Sequence, residues 1–512
     1  MADYKYTLFA TDNKIMVPLT PDPCGPRTEL YIWGFAGGLY EKDGVVVNPD
    51  FAVENGCQFF GKASFPAPRI DVECGDRLFI TLVNLGMEHL PNLTDVHSVH
   101  VHGGHVATQI DGVPETAFGV PMQMDGMKPK CAPPNPSGVD PDQAITYYFA
   151  PEHPGTYFYH CHQEASEHVQ MGMYGALIVH PSKEHLDMAG VCIPRGYTNR
   201  NFAYADKNTF FHKEYVLLLS DVDQIWHQYV FNGQKFFPAD FKSTTWLVNG
   251  RSYPDTLLPT QVPDSLGAYS IPPGYDSYVH VKTGERFLIR LINMGYQTVP
   301  WHIHGWHFRI IGKDAHPMPA NPNDKNSHMA FTQLVGSGES YDLLLTADNK
   351  QPLYGSYIFN GFPGVINALM EQVKKAEMAS QQQLWANIPE DGTFTGECPF
   401  EKLFNFFNYG QQPQEFFPQF YIMHNHDDYK VTTPKDLANP ASDNQCLYPG
   451  GQLCFMQIDA PPDPAPCRYP DDCACEKCQE VEPTPIKTLL QTLKKALPWC
   501  KPDSAAKDFP DP

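Results

Sequence analysis

A strand-like segment occurs twice in this 512-residue chain, and a cluster of histidines follows each copy. Residues 73–86 read ECGDRLFITLVNLG, and residues 282–295 read KTGERFLIRLINMG. Both copies run from a Gly-acid-Arg turn into an alternating strand that ends at Asn-x-Gly. The clusters read HVHGGH at residues 100–105 and HIHGWH at residues 302–307. Because strand and cluster repeat together, about 200 residues apart, the sequence predicts two copies of one β domain.

The amino-acid composition also favours a mostly β fold. The chain contains 49 prolines and 38 glycines with no repeating period, which is typical of many short elements joined by turns. A helical bundle or a coiled coil is excluded on the same ground. Since hydrophobic residues make up 42% of the chain and charged residues only 18%, general disorder is excluded as well.

The charge balance bears on the partners of the protein. There are 58 acidic and 36 basic residues, and the formal net charge of −22 argues against binding to nucleic acid. Neutral or cationic partners are favoured instead. The sequence contains no run of about 18 apolar residues, so we predict no membrane span.

The cysteine content indicates an oxidising compartment. The chain has 14 cysteines, a number that favours disulfides over reduced thiols. The first residues, MADYKY, lack the basic-then-apolar pattern of a secretory signal. We therefore expect a periplasmic or extracellular protein from which the signal has been removed. The alternative is a protein that stays inside the cell.

The pattern of strands, turns and cysteines divides the chain into five parts. We predict an N-terminal extension (residues 1–27), a first β domain (28–182), a linker (183–210), a second β domain (211–452) and a cysteine-rich tail (453–512). The second domain carries an insertion at about residues 363–420, in which residues 365–388 have helix-like apolar spacing. In the tail, a short helix is predicted to begin at Thr484-Pro485.

One segment combines histidines, a cysteine and a methionine. Residues 155–173 read GTYFYHCHQEASEHVQMGM. Alternating residues of a strand point to opposite faces, so His160 and His162 should face one way and Cys161 the other. A cysteine thiolate, two imidazoles and a weak thioether form the ligand set of a blue copper site. The predicted ligands of such a site are His97, Cys161, His168 and Met173.

Four His-x-His pairs indicate further metal binding. They are His100/His102, His160/His162, His302/His304 and His424/His426. Two of the pairs follow the matching repeats and one flanks a cysteine, a combination that scattered surface histidines do not produce. The sequence therefore predicts a metal centre built from these eight histidines.

These motifs resemble those of the multicopper oxidases. The similar segments are His97-x-x-His100-x-His102-Gly, His160-Cys161-His162 with His168 and Met173, His302-x-His304-Gly, and His424-Asn-His426. The resemblance covers roughly residues 70–180 and 280–452, and it implies two cupredoxin-like Greek-key β-sandwich domains.

The resemblance also implies a set of copper ligands, for about four coppers in each functional unit. A type 1 copper would be held by His97, Cys161, His168 and Met173. A type 2 copper would be held by His100 and His302. A type 3 pair would be held by the remaining paired histidines, which are His102, His160, His162, His304, His424 and His426.

The activity that the resemblance implies is that of a laccase or a metallo-oxidase. One-electron oxidation of a reducing substrate, a metal ion or a phenol, would be coupled to reduction of O2 to water, with electrons passing from Cys161 to His160 and His162. Val299 stands where a second type 1 histidine would lie, so the second domain has no blue copper of its own. Since only two domains are evident, the family pattern implies a homotrimer in which neighbouring subunits complete the cluster.

Four carboxylates near these motifs are candidates for supporting roles. Asp111, after the first cluster, and Asp427, after the last pair, are candidate proton donors for oxygen reduction. Glu164 and Glu167 lie directly before His168, in a segment that we expect to be an extended loop. The two carboxylates of this loop would attract cationic substrates to the histidine.

Two other functions remain open from the sequence. A copper nitrite reductase-like enzyme would have one blue copper and a mononuclear type 2 site, and it would leave the four complete histidine pairs unexplained. A copper-binding or storage protein would use thiolates such as those between Cys467 and Cys478, which otherwise form disulfides. A count of bound coppers distinguishes the three functions.

Overall fold

The structure, a computed structural model, describes residues 1–22, 25–258, 272–350, 419–442, 445–462 and 465–466. The helix-like part of the predicted insertion and the predicted tail helix lie outside these residues, as do the tail cysteines from Cys467 onward. Within the described ranges, no helix is long and apolar enough to cross a membrane.

The first domain is a sandwich of two sheets. Its strands are β1 (Asp3–Pro18), β2 (Arg27–Lys42), β3 (Val45–Val46), β4 (Ile70–Glu73), β5 (Arg77–Asn84), β6 (His100–His102), β7 (Met124–Asp125), β8 (Lys128–Pro129), β9 (Ile145–Phe149), β10 (Gly155–His160) and β11 (Tyr174–His180). One sheet has the order β3-β2-β1-β5-β9, the other has the order β4-β11-β10-β6, and β7 and β8 form a separate hairpin. The core lies between the two sheets, where Trp33 and Ile80 of the first share a buried cluster with Val101 and Leu177 of the second.

The second domain is built in the same way. Its strands are β12 (Lys213–Val222), β13 (Thr245–Val248), β14 (Val279–Lys282), β15 (Arg286–Asn293), β16 (Val299–Ile303), β17 (Phe308–Lys313), β18 (His316–Pro317), β19 (His328–Ala330), β20 (Thr332–Val335), β21 (Ser340–Thr346), β22 (Gln419–Asn425) and β23 (Leu453–Asp459). One sheet has the order β13-β12-β15-β21-β17-β18, with β19 paired to β17, and the other has the order β14-β23-β22-β16-β20. Leu291 and Leu343 of the first sheet share a buried cluster with Trp301 and Met456 of the second.

Helices are short in the described part of the chain. The α-helices there are α1 (Ala165–Met171), α2 (Lys183–Met188) and α3 (Gln224–Phe231). Short 3-10 helices cover Pro49–Phe51, Val53–Phe59, Thr108–Ile110, Pro141–Gln143, Asn199–Asn201, Lys207–Thr209, Pro238–Asp240, Asp255–Leu257 and Asp428–Lys430. Helix α3 follows a strand of the second domain but contacts β2 of the first, so it joins the two sandwiches.

The strand plan of the first domain recurs in the second. Strand β1 is parallel to β5 and β4 is parallel to β11, just as β12 is parallel to β15 and β14 is parallel to β23. The Asn-x-Gly ends of the repeated segment make the same hydrogen bonds in both domains. The side chains of Asn84 and Asn293 each accept a bond from the backbone NH two residues later. Each also donates to two backbone carbonyls. The prediction of a mostly β chain with two cupredoxin-like domains is confirmed.

Two predicted domain boundaries are wrong. Residues 1–27 are not an extension, because β1 lies between β2 and β5 inside the first sheet. Its side chains Tyr4, Tyr6 and Leu8 are buried in the core. The repeated segment, from which the domain was predicted, does not include this strand. The second domain also continues past residue 452, because β23 lies between β14 and β22.

Buried polar contacts join the domains beside β10. Thr156 of β10 donates to the Asp342 carboxylate at 2.5 Å, and the Ser340 hydroxyl donates to the Thr156 carbonyl at 2.7 Å. The guanidinium of Arg290 lies between Glu214 (2.6 Å) and Asp342 (3.4 Å). The strand that ends at His160 is therefore anchored at its beginning to the second domain.

The cysteines of the described residues fall into two groups. Cys57 and Cys131 form a disulfide, and Cys192 is disulfide-bonded as well. The free cysteines are Cys74, Cys161, Cys446 and Cys454.

Candidate metal centres

A buried thiol and two imidazoles meet in the first domain. The Sγ atom of Cys161 lies 3.1 Å from Nδ1 of His168 and 3.9 Å from Nδ1 of His97. All three side chains are buried, and the two imidazole rings are 4.9 Å apart between centroids. Both rings turn the same nitrogen, Nδ1, towards the sulfur, so the three ligand atoms converge on one point.

Three different elements bring these side chains together. Cys161 directly follows β10, His168 lies on α1, and His97 forms an isolated bridge with Val120 ahead of β6. The predicted extended loop before His168 is wrong in part, because Ala165–Met171 is helical. A helix of seven residues has too few apolar positions for its period to be read from the sequence.

Met173 is fixed beside this group by its backbone. Its NH donates to the His168 carbonyl at 3.0 Å, and its carbonyl accepts from the Cys161 NH at 2.9 Å. The Met173 side chain is fully buried. The turn before it requires glycine, since Gly172 has φ +117° and a Cβ there would lie 2.4 Å from the Phe65 ring.

The polar surroundings suit a thiolate bound to a soft metal. The NH of Ser98 points at Cys161 Sγ from 3.4 Å. Burial lowers the pKa of His97 well below its usual value, so this ring is a neutral ligand. Burial also lowers the pKa of His168, but the Cys161 sulfur and the Asp95 carboxylate outweigh it and raise that pKa to about 10. One sulfur and two imidazole nitrogens form a donor set that fits copper.

The first histidine set occupies the opposite face of β10. Ligand nitrogens of His100, His102 and His160 lie within 4.8 Å of one another, and the His162 ring is 5.0 Å from the His100 ring between centroids. Antiparallel pairing of β6 with β10 places His100 directly opposite His160. The Nδ1 atoms of these two rings contact oxygens, the Cys161 carbonyl for His160 (2.8 Å) and the Asp111 carboxylate for His100 (3.0 Å). Their Nε2 atoms are left to bind metal.

The second histidine set has the same layout. Pairing of β16 with β22 places His302 opposite His424, and ligand nitrogens of His302, His304 and His424 lie within 4.8 Å. The Nε2 atoms of His304 and His424 face each other at 3.0 Å. The His426 ring lies 5.1 Å from the His302 ring between centroids. At this separation the two nitrogens can share one hydrogen bond between neutral rings, and both can bind metal instead.

Burial favours the neutral form, which binds metal, at five of these histidines. It lowers the pKa of His102 to about 4 and the pKa of His160 to about 3. In the second set, burial also lowers the pKa values of His302, His304 and His424.

Asn425 takes the place in the second domain that Cys161 takes in the first. His424 Nδ1 lies 2.9 Å from the Asn425 carbonyl, as His160 Nδ1 does from the Cys161 carbonyl. The Asn425 amide donates to the side chain of Gln452 at 2.8 Å and is fully buried. No thiol centre is therefore formed at this position.

The two candidate proton donors differ in their surroundings. Asp111 contacts His100 at 3.0 Å, and burial raises the pKa of its carboxyl group above the usual value. Asp427 is 44% exposed and pairs with Lys430 at 3.0 Å. Among the described residues, no hydrogen bond joins Asp427 to a histidine of the second set. Only Asp111 is brought to a cluster by a direct contact.

A cavity of about 740 Å³ lies beside the thiol centre. Its lining includes the two predicted carboxylates Glu164 and Glu167, and also Asp95 and Trp33. The Asp95 carboxylate is 3.8 Å from Nε2 of His168, and the Trp33 ring packs edge-on against the same imidazole. Glu167 accepts a hydrogen bond from Trp226 Nε1 at 3.1 Å, and burial raises its pKa. Asp95 was not among the predicted site residues, although it stands only two residues before His97.

A protein-family model matches the segments of the chain that contain most of these candidate ligands. The family model described as "Multicopper oxidase" matches residues 50–183 and 259–355. The first of these segments contains the thiol centre and the first histidine set, and the second contains the His302/His304 pair.

Over these two segments, the chain belongs to the multicopper oxidase family.

Curated multicopper oxidases are among its relatives. An L-ascorbate oxidase of Brassica rapa subsp. pekinensis is 25% identical over 311 residues, which is 59% of this chain and 45% of the relative. An iron transport multicopper oxidase of Saccharomyces cerevisiae is 33% identical over 148 residues, 28% of this chain and 20% of the relative. The chain thus spans less than half the length of these two relatives.

Solved structures of the multicopper oxidase type also align with the chain. A blue copper oxidase of Nitrosomonas europaea is 20% identical, with a TM-score of 0.48, over 90% of this chain and 86% of that one. A copper nitrite reductase of the same organism is 19% identical, with a TM-score of 0.39, over 67% of this chain and 85% of that one.

Proposed function

We propose that this multicopper oxidase couples one-electron oxidation of a reducing substrate to four-electron reduction of O2 to water. The observation that carries the proposal is the segment His160-Cys161-His162. Its sulfur belongs to the buried thiol centre, and its two imidazoles belong to the first histidine set on the other face of the strand.

The ligands are proposed as follows. His97, Cys161, His168 and Met173 hold a type 1 copper, and His100 and His302 hold a type 2 copper. The type 3 pair is held by His102, His160, His162, His304, His424 and His426. When bound, these coppers supply the one-electron and oxygen chemistry.

The chain itself supplies the route between the two kinds of centre. Cys161 is bonded through the backbone to both His160 and His162. A second connection runs from the Cys161 carbonyl to Nδ1 of His160, a hydrogen bond of 2.8 Å. Buried surroundings at Cys161 exclude water from this route.

We propose that the complete cluster forms between the subunits of a homotrimer. Each chain holds two histidine sets, and within the described residues no ring of the first set contacts a ring of the second. Closed cyclic symmetry is the simplest way to join the first set of one subunit to the second set of its neighbour.

The reducing substrate is proposed to bind in the 740 Å³ cavity beside His168. Asp95, Glu164 and Glu167 line this cavity with Lys235, so carboxylates outnumber the ammonium group. A metal cation or an uncharged phenol therefore fits better than an anion. Asp111 is the proposed proton donor at the cluster, since it contacts His100 and its pKa is raised.

An oxidising location is proposed on the basis of the disulfides. Cys57 and Cys131 are joined, and such bonds persist in the periplasm or outside the cell.

The proposal is tested by replacing the sulfur and counting copper. We expect Cys161→Ser to remove the blue absorption and the O2 consumption while most of the cluster copper remains, because a hydroxyl does not replace a soft thiolate. Cys454→Ser, at a buried free cysteine of the second domain, is the matched control and should keep both. Blue absorption that survives in Cys161→Ser would contradict the assignment.

The copper count of the wild-type protein separates the other functions. About four coppers per chain, with O2 uptake in the presence of Fe(II), Mn(II), Cu(I) or a phenol, supports the oxidase. About two coppers per chain would indicate a nitrite reductase-like enzyme, and thiolate-bound Cu(I) without O2 uptake would indicate storage.

A further inference from the structure

A third group of potential metal ligands lies outside both centres described above. His105, Glu152 and His153 are exposed, yet one ligand atom from each lies within 4.8 Å of the other two. The two imidazole rings are 6.0 Å apart between centroids. Neither the thiol centre nor the histidine sets use these side chains.

Two of the three side chains are held on a fixed turn. The Tyr157 hydroxyl donates to the His153 carbonyl at 3.0 Å, and Cys74 Sγ donates to the Glu152 carbonyl at 3.0 Å. The NH of Gly75 donates to the Pro151 carbonyl at 2.8 Å. The backbone that presents Glu152 and His153 is thus positioned before any ligand binds.

The third side chain comes from a different loop. His105 lies three residues after the end of β6, in the segment that leads to the 3-10 turn Thr108–Ile110 and then to Asp111. A cation bound by all three side chains would therefore tie this loop to the turn between β9 and β10.

The local charge favours a cation here and disfavours one at another group of similar composition. Asp71, His180 and Glu214 also lie within 4.8 Å of one another. At that group, however, Arg69 contacts Asp71 at 2.7 Å and Glu214 at 2.5 Å, and Arg290 contacts Glu214 at 2.6 Å, so two guanidiniums already offset the two carboxylates.

Among the residues that the structure describes, no lysine or arginine lines the cavity at which His105, Glu152 and His153 lie.

The cavity itself measures about 350 Å³ and has apolar walls that include Ile110, Tyr148 and Tyr157. Two imidazoles and one carboxylate form a ligand set typical of zinc, and three protein ligands leave a position for water or a small donor. We propose that His105, Glu152 and His153 bind one divalent cation of the zinc type, at a site separate from the copper centres.

The test is a calorimetric titration of Zn²⁺ into the copper-loaded protein. We expect one Zn²⁺ per chain whose binding is lost in His153→Ala and again in His105→Ala. These residues lie on separate segments, so a folding defect in one variant does not decide the result. His316→Ala removes an exposed histidine of β18, outside this group, and should bind Zn²⁺ like the wild type.

Two results would overturn the proposal. One is a wild-type protein that takes up no Zn²⁺ beyond its copper. The other is an unchanged Zn²⁺ stoichiometry and affinity in both the His105→Ala and the His153→Ala variant. Both results are independent of oxidase activity, so they do not depend on the function proposed above.

Discussion

Gln170, two residues after His168, accepts a hydrogen bond from the backbone NH of Asp223 in the second domain, at 2.7 Å. Its side-chain amide also donates to the Asp221 carbonyl at 3.0 Å. The backbone carbonyl of Gln170 lies 3.0 Å from Nε2 of His227 on α3. Helix α1, which carries a ligand of the thiol centre, is thus held in place by the other domain.

Replacement of Gln170 should loosen this helix. In Gln170→Ala, two buried backbone groups lose their partners, at a cost of about 1–3 kcal/mol in the free energy of unfolding. We expect a lower Tm and a shifted or broadened blue absorption, measured by thermal denaturation and visible spectroscopy. Gln228→Ala, on the exposed side of α3, should change neither quantity. Wild-type stability and spectrum in Gln170→Ala would show that the contact does not position His168.

Carboxylates beside His168 should discriminate between charged and uncharged substrates. We expect Glu164→Gln with Glu167→Gln, and separately Asp95→Asn, to lower kcat/KM for Fe(II) about tenfold while kcat/KM for an uncharged phenol changes little. Steady-state O2 consumption measures both values. Glu54→Gln, at an exposed position outside the cavity, is the control. Equal losses for both substrates would mean that the cavity does not select by charge.

Asp111 and Asp427 can be separated by matched substitutions. Asp111→Asn should lower the rate of O2 reduction about 100-fold with little loss of copper, because the amide keeps the contact to His100 but carries no exchangeable carboxyl proton. Asp427→Asn should keep nearly full activity, since the partner of Asp427 is Lys430. O2 consumption and copper content are measured for both. A larger loss of O2 consumption in Asp427→Asn than in Asp111→Asn would assign the proton donor to the second domain.

Mixed oligomers test whether the cluster forms between subunits. His102→Ala disables the first histidine set and His304→Ala disables the second, so each variant alone should be inactive. In a trimer that closes between neighbours, co-expression creates intact sites where the two kinds of subunit meet, and random mixing restores about a quarter of wild-type activity. Differently tagged subunits, purified in tandem, allow the measurement. Complete inactivity of the mixed species would mean that the two sets meet within one chain.

Stability at acidic pH should depend on the carboxylates between the domains. Burial raises the pKa of Glu214, but Arg290 and Arg69 outweigh it and lower the pKa to about 2. Because this pKa lies below the unfolded value, the stabilisation is present above about pH 4.3 and is lost as the pH falls towards 2.

Glu214→Gln should remove most of this pH dependence. At pH 6 it should lower the free energy of unfolding by roughly 3 kcal/mol, because the buried guanidinium of Arg290 loses its nearer carboxylate and keeps only Asp342, at 3.4 Å. Denaturant unfolding at pH 6 and pH 3 measures the difference, with Glu184→Gln on the exposed side of α2 as control. If the free energies of unfolding of Glu214→Gln and the wild type differ by the same amount at both pH values, this explanation of the pH dependence is wrong.

Strand periodicity and the repeated segment were sufficient to predict several features of the site. A period of two predicted Cys161 on one face of the strand and His160 and His162 on the other. In the structure, Cys161 contacts His168, and the other two imidazoles lie next to His100. The duplicated segments located β5 and β15, the two strands that lead into the histidine clusters. Local spacing is sufficient for both inferences, because side-chain direction in a strand is fixed by position alone.

Contacts between distant segments could not be read from the sequence. Strand β1 has a place in the first sheet because it pairs with β2 and β5, and the alternation of Tyr4, Tyr6 and Leu8 does not by itself identify those partners. The approach of Asp95 to His168 depends on where α1 docks, and α1 in turn depends on Gln170 and the second domain. Such relationships are set by tertiary packing rather than by spacing.

The buried amide of Asn425 makes the two halves of the chain non-interchangeable. Asn425→Cys would place a thiol between two histidines, yet it would also break the hydrogen bond to Gln452, whose own amide donates to the Ser220 and Leu247 carbonyls. Val299 would still supply no imidazole to that thiol. Within the described residues, each chain consequently forms one thiol centre, and a designer who wished to add a second would have to rebuild a hydrogen-bonded core rather than exchange one residue.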